Sequence, residues 1–367
     1  MRTIFVGGQE KPNGVNSYTF NLANELKKNG YVSKVLCYGS CNKEYKFQDV
    51  DILQFKTTGG SMQSIPLLYI KTLPYLIKHR KEYDVVMFQT VRFSSIPSFI
   101  LRLFGKNTCS IVHSLAEDSP KHSKLLKRIL HCSMSVALRF TPNIITVSET
   151  KAKEIYAKYG QKASVIPCGV NLPEESETDS ILSENDIVPN KYFLTIGRFD
   201  PIKNLETLID AFKKHSNKGY QLVIAGDTSS SYAKGLIQRS HDCKSIIFPG
   251  MVSGSRKDTL LRNCMAYCLV SSSEGLPIAL LEGISYAKVP LVTRIPSIKE
   301  VLFDSDVALW SDVQNVDELS MNMDLVQSKY DQLGELGMKS YEIVKNKYTW
   351  DKIYDTYISY CNTHYGK

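Results

Sequence analysis

The chain has 367 residues, more than one hydrophobic core usually supports, so two domains of roughly 150 to 200 residues are expected. It is 43% hydrophobic and 22% charged, with no low-complexity tract and no apolar run of the ~18 to 20 residues that span a bilayer, which excludes disordered and membrane-spanning classes. The net charge of +8 is local: between 65 and 139, twelve Lys and Arg stand against four acids, an excess equal to that of the whole chain.

The N-terminus opens on Arg2-Thr3-Ile4-Phe5-Val6, a buried-type strand and not a secretory signal. Gly7 to Gly14 reads as a Gly/Pro/Asn loop. Val15, Tyr18, Leu22 and Leu26 then recur at helical spacing as far as Asn29-Gly30, a helix stop. This is not a G-x-G-x-x-G fingerprint, so a dinucleotide site is not indicated, but Gly14 lets backbone approach a phosphate or sugar. Further strands are predicted at 32–38, 84–88, 109–112 and 144–147, the alternation of a doubly wound parallel sheet.

The basic stretch 65–139 interleaves cations with large aliphatics, as in Ile65-Pro66-Leu67-Leu68-Tyr69-Ile70, Phe99-Ile100-Leu101-Arg102-Leu103-Phe104 and Lys124-Leu125-Leu126-Lys127-Arg128-Ile129-Leu130. This pattern reads as an anionic membrane surface contact, with a solvated helix face as the alternative. No nucleic-acid-binding module is recognisable. Within the stretch, Ser110-Ile111-Val112-His113-Ser114 puts a histidine just past a buried strand, followed by Glu117-Asp118. His113 is either a satisfied core residue or a catalytic group.

After an acidic connector at 172–179, a second series begins: strand 192–196, helix 204–214, strand 221–225, helix 231–240, strand 245–248, helix 256–263, strand 266–270, helix 278–287 and strand 290–293. The expectation is an α/β chain of two Rossmann-like doubly wound domains facing a central cleft, with ligands at the carboxyl ends of the strands. The first spans 1–170 and the second 171–349. Nine cysteines, with no zinc-ligand spacing beyond Cys37-x3-Cys41 and Cys264-x3-Cys268 in apolar context, imply free thiols in the cytoplasm.

Two constellations carry chemistry. In Gly197-Arg198-Phe199-Asp200-Pro201-Ile202-Lys203-Asn204, a strand end delivers two cations to a helix entrance, where they can converge on a diphosphate. In Ser271-Ser272-Ser273-Glu274-Gly275-Leu276-Pro277-Ile278-Ala279-Leu280-Leu281-Glu282, two carboxylates flank a turn and a helix opened by Pro277. Alone, the second could be a helix start with two solvated glutamates. Gly226 and Gly250 each end a strand and allow close backbone approach. Asp49-Val50-Asp51 and Asp304-Ser305-Asp306 are read as loops, not as a metal site.

These motifs resemble the family-4 retaining glycosyltransferases of the GT-B fold, of the type that builds capsule, exopolysaccharide or lipopolysaccharide. The resemblance implies that Arg198 and Lys203 hold the diphosphate of a nucleotide-sugar donor, UDP-linked or else GDP-linked, and stabilise its departure. Glu274 would face the transferred sugar and Glu282 the ribose hydroxyls. Main chain near Met251 would read the base, and Gly14, Gly226, Gly275, Ile278 and Ala279 would line the donor site. His113 would act on the acceptor side, where a glycan or lipid-linked hydroxyl is glycosylated, and a helix over 350–367 would return to the first domain. No metal and no cofactor are implied. The protein would be cytoplasmic and peripheral at the inner face of the membrane. Departures are Ser114, where the family usually has Asp, Ala287, where it usually has Gly, and Glu10-Lys11 in the first loop. A non-hydrolysing sugar-nucleotide epimerase, or a silent nucleotide- or membrane-binding partner subunit, is the alternative.

Overall fold

A computed structural model describes residues 1–9, 14–57, 61–91, 93–113, 115, 123–175, 178–215, 219–303 and 305–366. The chain divides into two compact units, Met1–Gly169 with Trp350–Lys367, and Val170–Thr349. Glu10-Lys11, Arg92, Ser114, Glu117, Asp118, Lys121 and Asp304 lie outside the described residues.

The first unit contains β1 (Arg2–Gln9), α1 (Gly14–Lys28), β2 (Val32–Gly39), β3 (Lys43–Phe47), β4 (Val50–Lys56), α2 (Ser61–Lys78), β5 (Val85–Phe88), α3 (Ser95–Leu103), β6 (Asn107–Val112), α4 (Lys124–Phe140), β7 (Ile144–Thr146), α5 (Glu149–Tyr159) and β8 (Ser164–Val165). Its sheet runs β3-β4-β2-β1-β5-β6-β7-β8, parallel except for the β3–β4 hairpin. Central strands such as β5 are buried at every position, as a sheet covered by helices on both faces requires.

The second unit contains α6 (Ile181–Glu184), β9 (Tyr192–Ile196), α7 (Leu205–Lys214), β10 (Gln221–Ala225), α8 (Ser231–Arg239), β11 (Ile246–Ile247), α9 (Gly254–Asn263), β12 (Ala266–Leu269), α10 (Ile278–Ser285), β13 (Val289–Thr293), α11 (Pro296–Leu302), β14 (Leu309–Ser311) and α12 (Val316–Lys347). Its six strands are all parallel in the order β11-β10-β9-β12-β13-β14. The last helix, α13 (Trp350–Tyr365), belongs to the first unit, where it packs beside α1 and the Tyr357 hydroxyl meets Thr3 Oγ1 at 3.1 Å. Among the described residues no helix is long and apolar enough to cross a membrane.

Three sequence expectations are corrected. The strand expected to stop at Val6 continues through Gly7 and Gly8 to Gln9, which still pairs with Tyr38 across a bulge. Both glycines have positive φ, and a Cβ on Gly7 would lie 2.5 Å from that of Gln89. The Asp49-Val50-Asp51 string is only half loop: Asp49 is in the hairpin turn, but Asp51 lies on β4 with its carboxylate 3.9 Å from Lys46 Nζ on β3. Pro277 caps α10 from just outside it, and the helix ends at Ser285, two residues short of the expected end.

Candidate donor and acceptor sites

In the second unit the candidate residues gather at the carboxyl ends of β9, β10 and β12, around a hollow lined by Thr195, Gly197, Arg198, Phe199, Lys203 and Ser271. Arg198, two residues past β9, is exposed and has no hydrogen bond or ion pair with any described residue. Lys203 ends a single 3-10 turn, Pro201–Lys203, whose start is capped by Asp200. The next residue, Asn204, turns the chain into α7 from the left-handed region (φ 48, ψ 41), which Asn tolerates better than most residues, and its side-chain amide donates to the Val270 carbonyl at 3.0 Å. Ser272 N–H donates to the Ile202 carbonyl at 2.8 Å. The Lys203 turn is thereby stitched to the loop that carries Glu274.

Lys203 Nζ lies 2.6 Å from Glu274 Oε1, and the same oxygen accepts from Ser271 Oγ at 2.6 Å. The lysine and glutamate side chains are only 17% and 11% exposed, so the pair is largely withdrawn from water. Both bonds fall on Oε1; Oε2 makes none with the described residues.

Gly275 follows Glu274, and Ile278 and Ala279 form the first turn of α10. Glu282, on the same helix, is held 2.8 Å from Lys257 Nζ of α9, both half-buried. Next to it, Gly283 is pressed on the ring of Tyr267, where a Cβ would come within 2.3 Å of Cγ. The buried Tyr267 hydroxyl accepts from Ile196 N–H at 3.3 Å and donates to its carbonyl at 3.2 Å, fixing the end of β9 from which Gly197 and Arg198 emerge. Gly226 closes the other side: a Cβ there would lie 2.2 Å from the Gly197 carbonyl. Its N–H donates to Gly250, which stands at φ +82 and leaves the following Met251 side chain 74% exposed.

Spacing and residue type pointed to Arg198, Lys203, Glu274 and Glu282, but not to Ser271, Tyr267 or Lys257. For Ser271, the polar run before Glu274 was a signal; for the other two, no local pattern exists.

In the first unit, His113 follows β6, and its Nε2 donates to the Gln89 side-chain carbonyl at 3.1 Å, leaving Nδ1 as the acceptor nitrogen. The ring meets the edge of buried Tyr18 at a centroid distance of 5.3 Å. Burial pulls the histidine down to about 4, so it is neutral at pH 7. Gln89 Nε2 is buried and has no partner among the described residues. Gly14 is the first residue of α1.

The family models for "Glycosyltransferase Family 4" and "Glycosyl transferases group 1" match residues 12–174 and 179–342 respectively, nearly the whole of both units. This chain belongs to the family-4 glycosyltransferases of the GT-B fold. A probable sucrose-phosphate synthase of Thermosipho melanesiensis is 24% identical over 66% of this chain and 59% of its own length, so the chain spans about three fifths of that relative. An N,N'-diacetylbacillosaminyl-diphospho-undecaprenol alpha-1,3-N-acetylgalactosaminyltransferase of Campylobacter jejuni is 23% identical over 71% of this chain and 73% of its own. Among solved structures, Anabaena HepE in complex with UDP and glucose shares the fold, with a TM-score of 0.79 and 16% identity over 99% of this chain and 100% of that one.

Against that family, Ala287 is an informative departure. It closes α10 at φ +55, a left-handed conformation that favours glycine, and its carbonyl lies where a Cβ on Gly337 of α12 would clash at 2.0 Å. Ala287→Gly would relieve ~1 to 2 kcal/mol of backbone strain, offset by ~0.4 to 1 kcal/mol of added unfolded-state freedom. The glycine variant of this glycosyltransferase should therefore unfold later in urea, by about 0.5 to 1 kcal/mol. A less stable variant would mean that the methyl group contributes packing that outweighs the strain.

Proposed function

We propose that the protein is a metal-independent retaining glycosyltransferase that moves a sugar from a nucleotide-sugar, UDP-linked in the first instance, to a hydroxyl of a glycan or lipid-linked acceptor in cell-surface polysaccharide synthesis. The observation that carries this reading is one hollow lined by Lys203 and by an Arg198 that has no partner among the described residues, with Lys203 paired to Glu274 on the loop that leads into α10. Arg198, Lys203 and the amide end of α10 would neutralise the diphosphate as it leaves, and its oxygen would take the acceptor's proton on the same face of the sugar. Glu274 Oε2 would accept from a sugar hydroxyl, Glu282 from the ribose, and backbone beside Met251 would meet the base edge.

On the acceptor side, neutral His113 suits positioning or proton acceptance through Nδ1, and the Gln89 amide, which meets no partner among the described residues, offers a donor to an acceptor hydroxyl. The Campylobacter relative, named for an undecaprenol-linked acceptor, supports a lipid-linked substrate, and the UDP complex of HepE supports the donor. Work on such an acceptor would place the protein peripherally at the cytoplasmic face of the membrane.

The test is a donor screen by thermal shift followed by transfer assays. A true donor at about 100 times its Kd should stabilise the protein by about 2.7 kcal/mol. Because Arg198 and Lys203 supply the charge that a divalent ion would otherwise bring, transfer should persist in excess EDTA with the anomeric configuration retained. Loss of transfer in chelator with recovery on Mn²⁺ would reject metal independence, and formation of an epimerised nucleotide-sugar without acceptor would favour the epimerase.

A further inference from the structure

Helices α2, α3 and α4 follow strands that step the same way along the first sheet, so right-handed crossovers lay them on one face. There α3 packs against both neighbours. The three helices contain seven Lys or Arg and no Asp or Glu.

Helix α4 is apolar on two opposite sides. Leu130, Met134, Ala137 and Leu138 are buried on the side that faces the sheet. At about 100° per residue, Leu125, Ile129, Val136 and Phe140 share an arc of about 60° on the other side. Arg128 and Arg139 fall at the edge of that arc, both exposed. In α3 the pattern repeats: Pro97, Ser98 and Leu101 are buried, while Ile96, Phe99 and Leu103 point away from them. These seven outward apolar side chains are 54% to 71% exposed. So large a stripe on a surface that stayed in water would be a liability. The first segment of the basic stretch contributes less than its sequence suggests, since Leu68 and Tyr69 are buried and Ile70 is its one widely exposed apolar residue.

We infer that α3 and α4 lie in the plane of an anionic bilayer surface, with the apolar stripe in the boundary between headgroups and acyl chains and the flanking cations on lipid phosphates. A second copy of the chain is the poorer partner. In a two-fold dimer these acid-free helices would meet themselves, cation against cation. The inference deepens the membrane reading above and rests on it for its purpose, which is to hold the enzyme where a lipid-linked acceptor lies. The binding is testable with neither donor nor acceptor present.

The full-length protein would be sedimented with vesicles of phosphatidylcholine alone and with added phosphatidylglycerol. Binding is expected to the anionic vesicles. Substituting Arg102, Arg128 and Arg139 with Gln should weaken it about a hundredfold at low salt, at roughly one tenfold step per 1.4 kcal/mol. Substituting Phe99, Leu125 and Ile129 with Ser should weaken it roughly tenfold or more even in high salt, where the charge contribution is screened. Cys132 is exposed on the same arc as Ile129 and Val136, so with Cys41 and Cys243 changed to Ser it can carry a polarity-sensitive dye. A blue shift on anionic vesicles is expected.

Sedimentation without that shift would mean adsorption by charge alone and overturn the insertion. Equal binding to neutral vesicles, or wild-type binding by both variants, would overturn the whole inference. So would a concentration-dependent dimer abolished by the Ser substitutions, which would assign the face to a second copy. UDP affinity measured on the same variants should stay at the wild-type value. If vesicle binding fails while transfer from a UDP-sugar to a soluble acceptor stands, this inference alone falls; if vesicle binding stands and no transfer is found, the transferase reading falls instead.

Discussion

Replacing Arg198 with Ala should lower turnover by about a hundredfold or more while leaving stability within about 0.5 kcal/mol of wild type. The two halves of that expectation come from one observation: the guanidinium is exposed and has no partner among the described residues, so the fold does not use it. Its charge has work to do only when an anion arrives. A donor that stabilises charge in the transition state contributes about 3 kcal/mol, which is roughly the hundredfold stated. Lys203→Ala should match it in turnover but not in stability, because it strands Glu274, 11% exposed, with the Ser271 hydroxyl as its remaining partner. Steady-state kinetics with a UDP-sugar and urea unfolding of both variants would separate the cases. Full turnover by Arg198→Ala would remove this residue from the donor site, and a rise in KM with kcat unchanged would reduce it to ground-state binding.

The architecture was legible because parallel strands buried on both faces are written as short apolar runs ending in Gly or turn residues, and both series show them. The β3–β4 hairpin was not, because Lys43-Glu44-Tyr45-Lys46-Phe47 has the polar composition of an edge strand that faces water, without the run that marks a buried one. The Gly7-Gly8 pair was misread as a stop for a related reason: glycine permits a bulge as readily as a turn, and only the neighbouring strand β2 decides which.

In the site, residue type and spacing were enough to place cations and carboxylates at strand ends. They could not say which charge would meet which. Lys203 and Glu274 are 71 positions apart, and they touch because β12 inserts beside β9 in the sheet, a crossover with no local trace. The Lys257–Glu282 pair depends likewise on how α9 lies against α10. His113 shows the same limit. Its strand-end position was readable, but the Gln89 carboxamide as its partner follows from where the end of β5 puts Gln89, and burial, which no local pattern announces, is what makes the ring neutral.

The Lys203–Glu274 pair leads to the second large effect. With no donor bound, the glutamate occupies the cation that the diphosphate would need, so nucleotide binding has to exchange one anion for another at Lys203. Glu274→Gln keeps the shape and removes the competing charge. Free UDP should then bind roughly tenfold or more tightly, since a half-buried lysine without a counter-ion gains more from the incoming phosphates. The unliganded protein should lose about 1 to 3 kcal/mol of stability, and UDP should restore it. Turnover should nonetheless fall about a hundredfold or more, because a neutral amide neither orients the sugar hydroxyl nor stabilises positive charge developing on the sugar as a carboxylate does. Tighter product binding with slower transfer is the signature of a glutamate that serves both as lid on the cation and as sugar ligand. Calorimetry with UDP and single-turnover kinetics would read it directly. If UDP affinity and turnover fell together, the pair would be a fixed scaffold and not an exchangeable one, and Arg198 with the α10 terminus would have to hold the diphosphate without Lys203.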